Sequence, residues 1–176
     1  AAPAASRRIP MPNSVAHTGF FCMGTRCHLV LPGVPQEEAD PLFRLLKQEL
    51  ERVENLLSWY RPHSELSRIN REAPLGAVAV DEELMGLLLA CQDAHRRTEG
   101  AFDPTLRHLA EEPDPERRRD LLPEFGMRHI RLDPDRGTVR FDSPRIRLDA
   151  GGFGKGYALD RAAQIVRRCG FSHALL

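Results

Sequence analysis

An α+β fold, antiparallel strands packed with helices, is what the sequence predicts. Three leucine- and alanine-bearing stretches, near residues 37–57, 81–97 and 155–169, space their apolar side chains every three or four residues, the period of an amphipathic helix. Between the second and third, "HIRLD", "TVRFD" and "RIRLD" each alternate apolar and polar residues, the period of half-buried strands. Helices mixed with an antiparallel meander make the α+β class, and there is no internal repeat.

Each element has its own signals. From Thr18 to Pro32 the chain reads as a strand or hairpin edge, apolar on either side of a polar interruption at Gly24 to Arg26. The first helix is expected over Glu37–Leu57, with Asp40 as N-cap, Pro41 at the first helical position, and Leu42, Leu45, Leu46, Leu50, Val53, Leu56 and Leu57 at helical spacing. Ser58 to Asn70 has no clean period and reads as a loop. A short strand at Ala77–Val80 follows, and Asp81 then caps a second helix to about Arg97, with Leu84, Leu87, Leu88, Cys91 and Ala94 on one face and Gly100 as its stop. "PDRG" (Pro134–Gly137) turns the first alternating segment into the second, so the three make a meander. Lys155–Cys169 is the third helix, with Arg167 and Arg168 complementing its last carbonyls. "FSHALL" is strand-like, and a strand directly after a helix with no polar tail behind it reads as a cut through a domain.

Composition excludes some functions. The 176 residues carry 25 basic and 25 acidic side chains, so no global field draws the chain to nucleic acid or an anionic membrane. The cluster Arg117–Asp120 sits among acidic residues and prolines and reads as a solvated connector. Four cysteines without a CxxC pair are expected as buried thiols. Cys22 and Cys27, taken as one continuous strand, would point to opposite faces and not bridge. Seven histidines without H-x-x-x-H give no zinc constellation. The opening "AAPAASRRIPMPNS" resembles the start of an exported protein after signal cleavage.

Three stretches hold candidate chemistry. "LDAGGFGKGYALD" (Leu148–Asp160) is not a Walker loop, since Gly156 follows Lys155, and its glycines do not give G-x-G-x-x-G. It is either a glycine turn from strand to helix, or a place where backbone, helix N-terminus and Lys155 meet an anion and turn carbonyls meet Mg²⁺. In "SWYRPHSELSRIN", Trp59 and Tyr60 are either core aromatics or rings for stacking on a planar ligand, with Ser64 and Ser67 as hydrogen-bond donors. In "EGAFDPT", Gly100 and Ala101 leave room for a bulky neighbour. Asp103 there is either an acceptor for a ribose hydroxyl or an amine, or the N-cap of a helix starting at Pro104.

Taken together in this order, "MGT" (Met23–Thr25), "SWYRPHSELSRIN", "TEGAFDPT" and "LDAGGFGKGYALD" resemble the ApbE family, the FAD:protein FMN transferases. The resemblance implies an ApbE-like fold over 18–176, behind a flexible leader at 1–17 left by a removed export signal. It implies a Mg²⁺-dependent enzyme that attaches FMN from FAD, through a phosphoester, to a threonine of a target flavoprotein and releases AMP. A non-catalytic FAD-binding protein and an FAD pyrophosphatase are the alternatives. It places Met23, Tyr60, Ala101, Phe102 and Asp103 around FAD, Tyr60 near the flavin and Asp103 toward the adenosine, with Lys155 beside them. A carbonyl of Gly152, or of Gly154, would be one Mg²⁺ ligand. It also implies a periplasmic or exported protein, tethered to the inner membrane through a removed N-terminal segment. Family members are longer, and their second half supplies the Asp and Thr that complete the metal site. Nothing after Leu176 does so here, and Ala150 and Gly154 stand where the family more often has Leu and Ala.

Overall fold

The computed structural model describes residues 14–176, and the chain divides into two units. One comprises the chain through Glu54 together with Phe153–Leu176, and the other is Asn55–Gly152. Most of the predicted leader lies outside the described residues, but its last three residues are structured, because the first strand begins at Val15.

In the first unit β1 (Val15–Cys22) pairs antiparallel with β2 (Thr25–Pro32), with Cys22 opposite Thr25. The region is therefore a hairpin and not one strand, and its turn is the dipeptide Met23-Gly24, both at positive φ (53° and 72°). That is the two-residue turn whose twist matches the strands it joins, normally filled by Asn-Gly. The register corrects the reading of the cysteines: Cys27 pairs with Phe20, so Cys22 and Cys27 lie diagonally on the same face. Cross-strand diagonal pairs are about 7–8 Å apart, too far for a bridge, and all four cysteines are free.

Helix α1 spans Gln36–Leu57, so the expected start at Asp40 is corrected. The Pro35 carbonyl accepts from Glu38 and Ala39, opening the helix one turn earlier, and Pro41 sits inside it. Asp40 does not cap the helix; its carboxylate accepts from Gln36 Nε2 at 2.7 Å. Leu46 and Val53 are fully buried and Leu50 nearly so, each stabilising the fold by about 1.5–3 kcal/mol. Helix α6 (Gly154–Arg168; the intervening helices follow below) buries Ala158, Ala162 and Val166, as its spacing predicts. Arg161 Nε of α6 meets Glu49 Oε1 of α1 at 2.7 Å, and Arg52 meets Glu49 at 2.9 Å. The Arg52 hydrogen bond first, then Arg161, lower the Glu49 pKa to about 2 against a desolvation that opposes them. The strand-like tail makes a single bridge, Leu175 with Val30.

Cys22 and Cys91 are buried, but Cys169 is exposed, because α6 ends there and Gly170 (φ 82°) turns the chain away. Burial, with Glu54 adding its charge, pushes the Cys22 thiol up to about 12, and burial alone pushes Cys91 up to about 11.

The second unit begins within the end of α1. Here the expected loop after Ser58 is corrected: α2 spans Glu65–Glu72, a short helix that buries Leu66, Ser67, Ile69 and Asn70 at helical spacing, with Ser64 as N-cap accepting from Ser67 N. α3 (Glu82–Arg97) has Asp81 as N-cap, Leu84, Leu88 and Cys91 buried, and Gly100 at φ 87° behind it. α4 (Arg107–Glu111) and α5 (Pro115–Leu121) follow, and α5, which holds the Arg117–Arg119 cluster, buries nothing.

The sheet of this unit has the order β3-β5-β4, all antiparallel, with β3 at Val78–Ala79, β4 at Ile130–Asp133 and β5 at Thr138–Phe141. The predicted third strand of the meander, "RIRLD", does not join it; β3 takes the free edge of β5. Ile146 and Leu148 of that segment are buried all the same. Its backbone bonds go elsewhere, Leu148 to the side-chain amide of Asn70 and Asp149 N to the Pro104 carbonyl at 2.8 Å. No helix among the described residues is long and apolar enough to cross a membrane.

Candidate functional site

Of the residues singled out from the sequence, Tyr60, Ala101, Phe102, Asp103 and Gly152 belong to the Asn55–Gly152 unit. Met23 and Lys155 belong to the other.

In the first group the glycine turn sits on a carboxylate. Asp149 Oδ1 accepts from Gly151 N at 3.0 Å. A Cβ at Gly151 would come within 3.2 Å of Asp149 Oδ2, and one at Gly152 within 3.4 Å of the Phe102 ring. Neither glycine has a left-handed backbone; close approach to the carboxylate favours glycine at Gly151, while a Cβ at Gly152 would make an ordinary contact with the ring. Both are exposed, so the Gly152 carbonyl belongs to an open turn.

The strand entering that turn is held by Asn70. Its Oδ1 accepts from Leu148 N at 2.7 Å and its Nδ2 donates to Leu148 O at 2.8 Å, so one buried side chain supplies both bonds of a missing neighbouring strand. Asn70 comes from α2, whose start Ser64 fixes; Ser64 and Ser67 Oγ both donate to the Ser58 carbonyl, and Ser67 also to that of Trp59. These two serines therefore anchor the Trp59-Tyr60 loop and are not free for a ligand, a correction to the sequence reading. Among the described residues no buried side-chain N or O lacks a partner.

Tyr60 projects into solvent, 77% exposed, while Trp59 is half-buried. Both border a cavity of about 270 Å³ lined also by Ser67, Asn70, Arg71 and Arg147 and by no carboxylate. Arg71 and Arg147 donate to main-chain carbonyls (Pro62; Pro144 and Ile146) and to no acidic group, and burial lowers the Arg147 pKa. A cavity with aromatic walls and two such guanidiniums suits a planar ligand that carries negative charge.

Asp103 is spent differently. Its side chain is only 4% exposed; Oδ1 accepts from Thr105 N (2.9 Å) and Oγ1 (2.6 Å), and Oδ2 from Met127 N (3.3 Å). It caps no helix at Pro104, since α4 starts only at Arg107. His95 Nδ1 lies 3.0 Å from the Phe102 carbonyl and 3.3 Å from Asp103 Oδ2. Neither group can donate when the carboxylate is ionised, so Nδ1 carries the hydrogen. This carboxylate lines a second cavity, of about 400 Å³, with Gly100, Gly126 and Arg128. Ala101 is exposed and Phe102 half-buried beside Gly152.

In the other unit, Met23 occupies the left-handed first position of the hairpin turn, an unfavourable place for an unbranched L side chain. Lys155 is exposed at the start of α6 and has no hydrogen-bond or ion-pair partner among the described residues. Phe153 precedes that helix without a side-chain cap, so its first N–H groups have no side-chain acceptor.

Sequence reasoning missed Asn70, Asp149 and Arg107 as individual residues. The first two lie inside quoted motifs. Arg107 stands just outside one, two residues after "FDPT", and its guanidinium donates to Tyr60 Oη at 3.0 Å and to Asp149 Oδ2 at 3.2 Å. The Tyr60 bond most of all, against a small desolvation and with Asp149 helping, holds it protonated above the ordinary arginine range. Its spacing to Glu111, i to i+4 on α4, was the one available signal.

Mg²⁺ is a hard cation that takes six oxygens in octahedral geometry, several of them from water. Gly152 offers one carbonyl, Asp149 is engaged by Arg107 and Gly151, and no group of three His, Cys, Asp or Glu among the described residues is placed to hold a metal. These residues could supply one ligand and not a full set.

Residues 23–176 match the model of the ApbE family. The chain is 30% identical over 137 residues to the FAD:protein FMN transferase of Chlamydia muridarum, covering 71% of this chain and 40% of that protein. To the protein of the same name from Escherichia coli K12 it is 24% identical over 168 residues, covering 88% and 48%. The crystal structure of the ApbE protein from Thermotoga maritima superposes with a TM-score of 0.80 at 27% identity, covering 92% of this chain and 55% of that one. The flavin transferase ApbE of Vibrio cholerae gives a TM-score of 0.77 at 24% identity, a likeness of fold. The chain thus spans less than half the length of these two curated relatives.

Proposed function

The chain belongs to the ApbE family, and from that premise we propose that it is the flavin-holding part of a Mg²⁺-dependent FAD:protein FMN transferase. In that reaction a threonine hydroxyl of a target flavoprotein forms a new P–O bond to the flavin-side phosphorus of FAD. The bond from that phosphorus to the bridging oxygen breaks, AMP leaves with the electron pair, and the hydroxyl proton passes to solvent. Phosphoryl transfer of this kind rests on positioning and charge neutralisation more than on a protein nucleophile.

The observation that carries the reading is the exposed Tyr60 ring beside a cavity with two arginines and no carboxylate. The ring supports stacking of an isoalloxazine, and Arg71 and Arg147 support its phosphate. On the family resemblance, Met23, Ala101, Phe102 and Lys155 are assigned to FAD as well. Asp103 already accepts from Thr105 and Met127 and supports an adenosine contact only through the lone pair they leave over. The Gly152 carbonyl would be one Mg²⁺ ligand, and the bound ion would neutralise pyrophosphate charge.

FAD binding without turnover is the second reading, and the assay below separates it from the first. The Ala- and Pro-rich composition of residues 1–14 supports a periplasmic or exported location.

Titration of FAD with the protein, followed by flavin fluorescence, is expected to show saturable quenching; no quenching would refute both readings. Incubation with FAD, Mg²⁺ and a threonine-bearing target separates them. A covalently fluorescent target with free AMP marks the transferase, FMN and AMP without a labelled target marks the pyrophosphatase, and intact FAD marks a binder.

A further inference from the structure

Arg107 makes more contacts than a half-exposed arginine at the start of a five-residue helix needs for stability. Besides its bonds to Tyr60 Oη and Asp149 Oδ2, its Nε lies 3.3 Å from Glu111 Oε1. Its guanidinium carbon is 5.1 Å from the Trp59 ring centroid and 5.3 Å from that of Tyr60. One planar cation therefore touches both aromatics of the loop and the carboxylate on which the glycine turn is built.

Two consequences follow for Tyr60. A ring 77% exposed has almost no packing to hold it, so the stack and the hydrogen bond from Arg107 are what fix its rotamer. Since Arg107 donates to Tyr60 Oη, the phenolic hydrogen is left to point outward to an acceptor. The same guanidinium holds Asp149 Oδ2 while Oδ1 takes the Gly151 N–H, so aromatic ring and turn are set against each other through a single group.

Resting on the flavin reading above, we propose that Arg107 is the positioning residue of the flavin site, acting through Tyr60 by ordering its ring and hydroxyl before the ligand arrives. Ordering one exposed side chain in advance is worth roughly a three- to tenfold difference in affinity.

The test is a double-mutant cycle on the full chain, with FAD as the probe and flavin quenching as the readout. Arg107→Met is expected to raise the Kd about three- to tenfold in the wild-type background and less than about twofold in a Tyr60→Ala background. Arg107→Lys, which keeps the charge and loses the planar fork, should stay near the Met variant. Equal losses in both backgrounds, or full rescue by Lys, would overturn the proposal. Should Arg107→Met fail to fold, Tyr60→Phe removes only the acceptor oxygen, and an unchanged Kd there is equally fatal. Trp59 is the sole tryptophan, so acrylamide quenching of its emission reads the clamp without ligand. If the wild type ignores FAD while Arg107→Met leaves Trp59 more quenchable, the flavin reading fails and the clamp stands. If Trp59 quenching is unchanged as well, both fail.

Discussion

Replacing Asn70 by Ala tests whether a side chain can stand in for a strand. Asn70 is 5% exposed and Leu148 2%, and the amide closes both the Leu148 N–H (2.7 Å) and its carbonyl (2.8 Å). Asn70→Ala leaves a buried donor and a buried acceptor unpaired, at about 1–3 kcal/mol each, so the loss should be about 4 kcal/mol. With a urea m-value of about 2 kcal/mol/M, the midpoint of the Trp59 fluorescence transition falls by about 2 M. Asn70→Asp sharpens the test. Its carboxylate still accepts from Leu148 N–H but faces the carbonyl with no hydrogen to give, so burial raises its folded pKa above the unfolded one. The folded state then binds the extra proton, and this variant should gain stability as pH falls from 7 toward 4, against the usual trend for a carboxylate. A loss under about 1 kcal/mol for Asn70→Ala, or an Asp variant that weakens on acidification relative to wild type, would show that the amide pair does not hold the segment.

Two further outcomes are expected. Met23→Asn suits the left-handed turn better and should stabilise the hairpin unit by roughly 0.5–1 kcal/mol in thermal unfolding. It should also weaken FAD binding, and a stabler protein with unchanged affinity would remove Met23 from the site. Glu49, held near pKa 2 from an ordinary 4.5, contributes stability that is full above about pH 4.5 and lost as pH falls toward 2. Because Arg52 and Arg161 are partly exposed, the contribution is about 1–2 kcal/mol and not the full shift. The urea-midpoint gap between wild type and Glu49→Gln should close on acidification, and a gap independent of pH would contradict the ion-pair account.

Where local chemistry and tertiary environment agree, the fold was legible. α3 shows this: Asp81 caps it, Leu84, Leu88 and Cys91 face inward, and Gly100 takes the left-handed turn behind it. Misreadings arose where two local signals competed. Pro41 looked like a helix start because Asp40 precedes it, yet Pro35 opens the helix, and an interior proline one turn in loses only one further bond. "RIRLD" alternates like a strand because its even positions are buried, but burial does not say whether the backbone pairs with a strand or with an amide 78 residues away in sequence. The family motifs drew attention to the stretches around Tyr60, Phe102 and the glycine turn without assigning Asn70, Asp149 or Arg107 a role. Nothing in "TLRHL" announces that its arginine reaches a tyrosine 47 residues earlier, because that contact is made by the fold.

The unit holding Tyr60, Arg107 and the glycine turn is one uninterrupted stretch, Asn55–Gly152, whereas the hairpin and α1 share theirs with α6. On the ribosome the uninterrupted unit leaves the exit tunnel whole and can close its core at once. Glu49, made early, has to wait for Arg161, and Val30 for Leu175, until residues 153–176 are synthesised. The hairpin side is thus the late-maturing half, and in that interval the edges of β1 and β2 depend on chaperones or on speed to avoid pairing with the wrong chain.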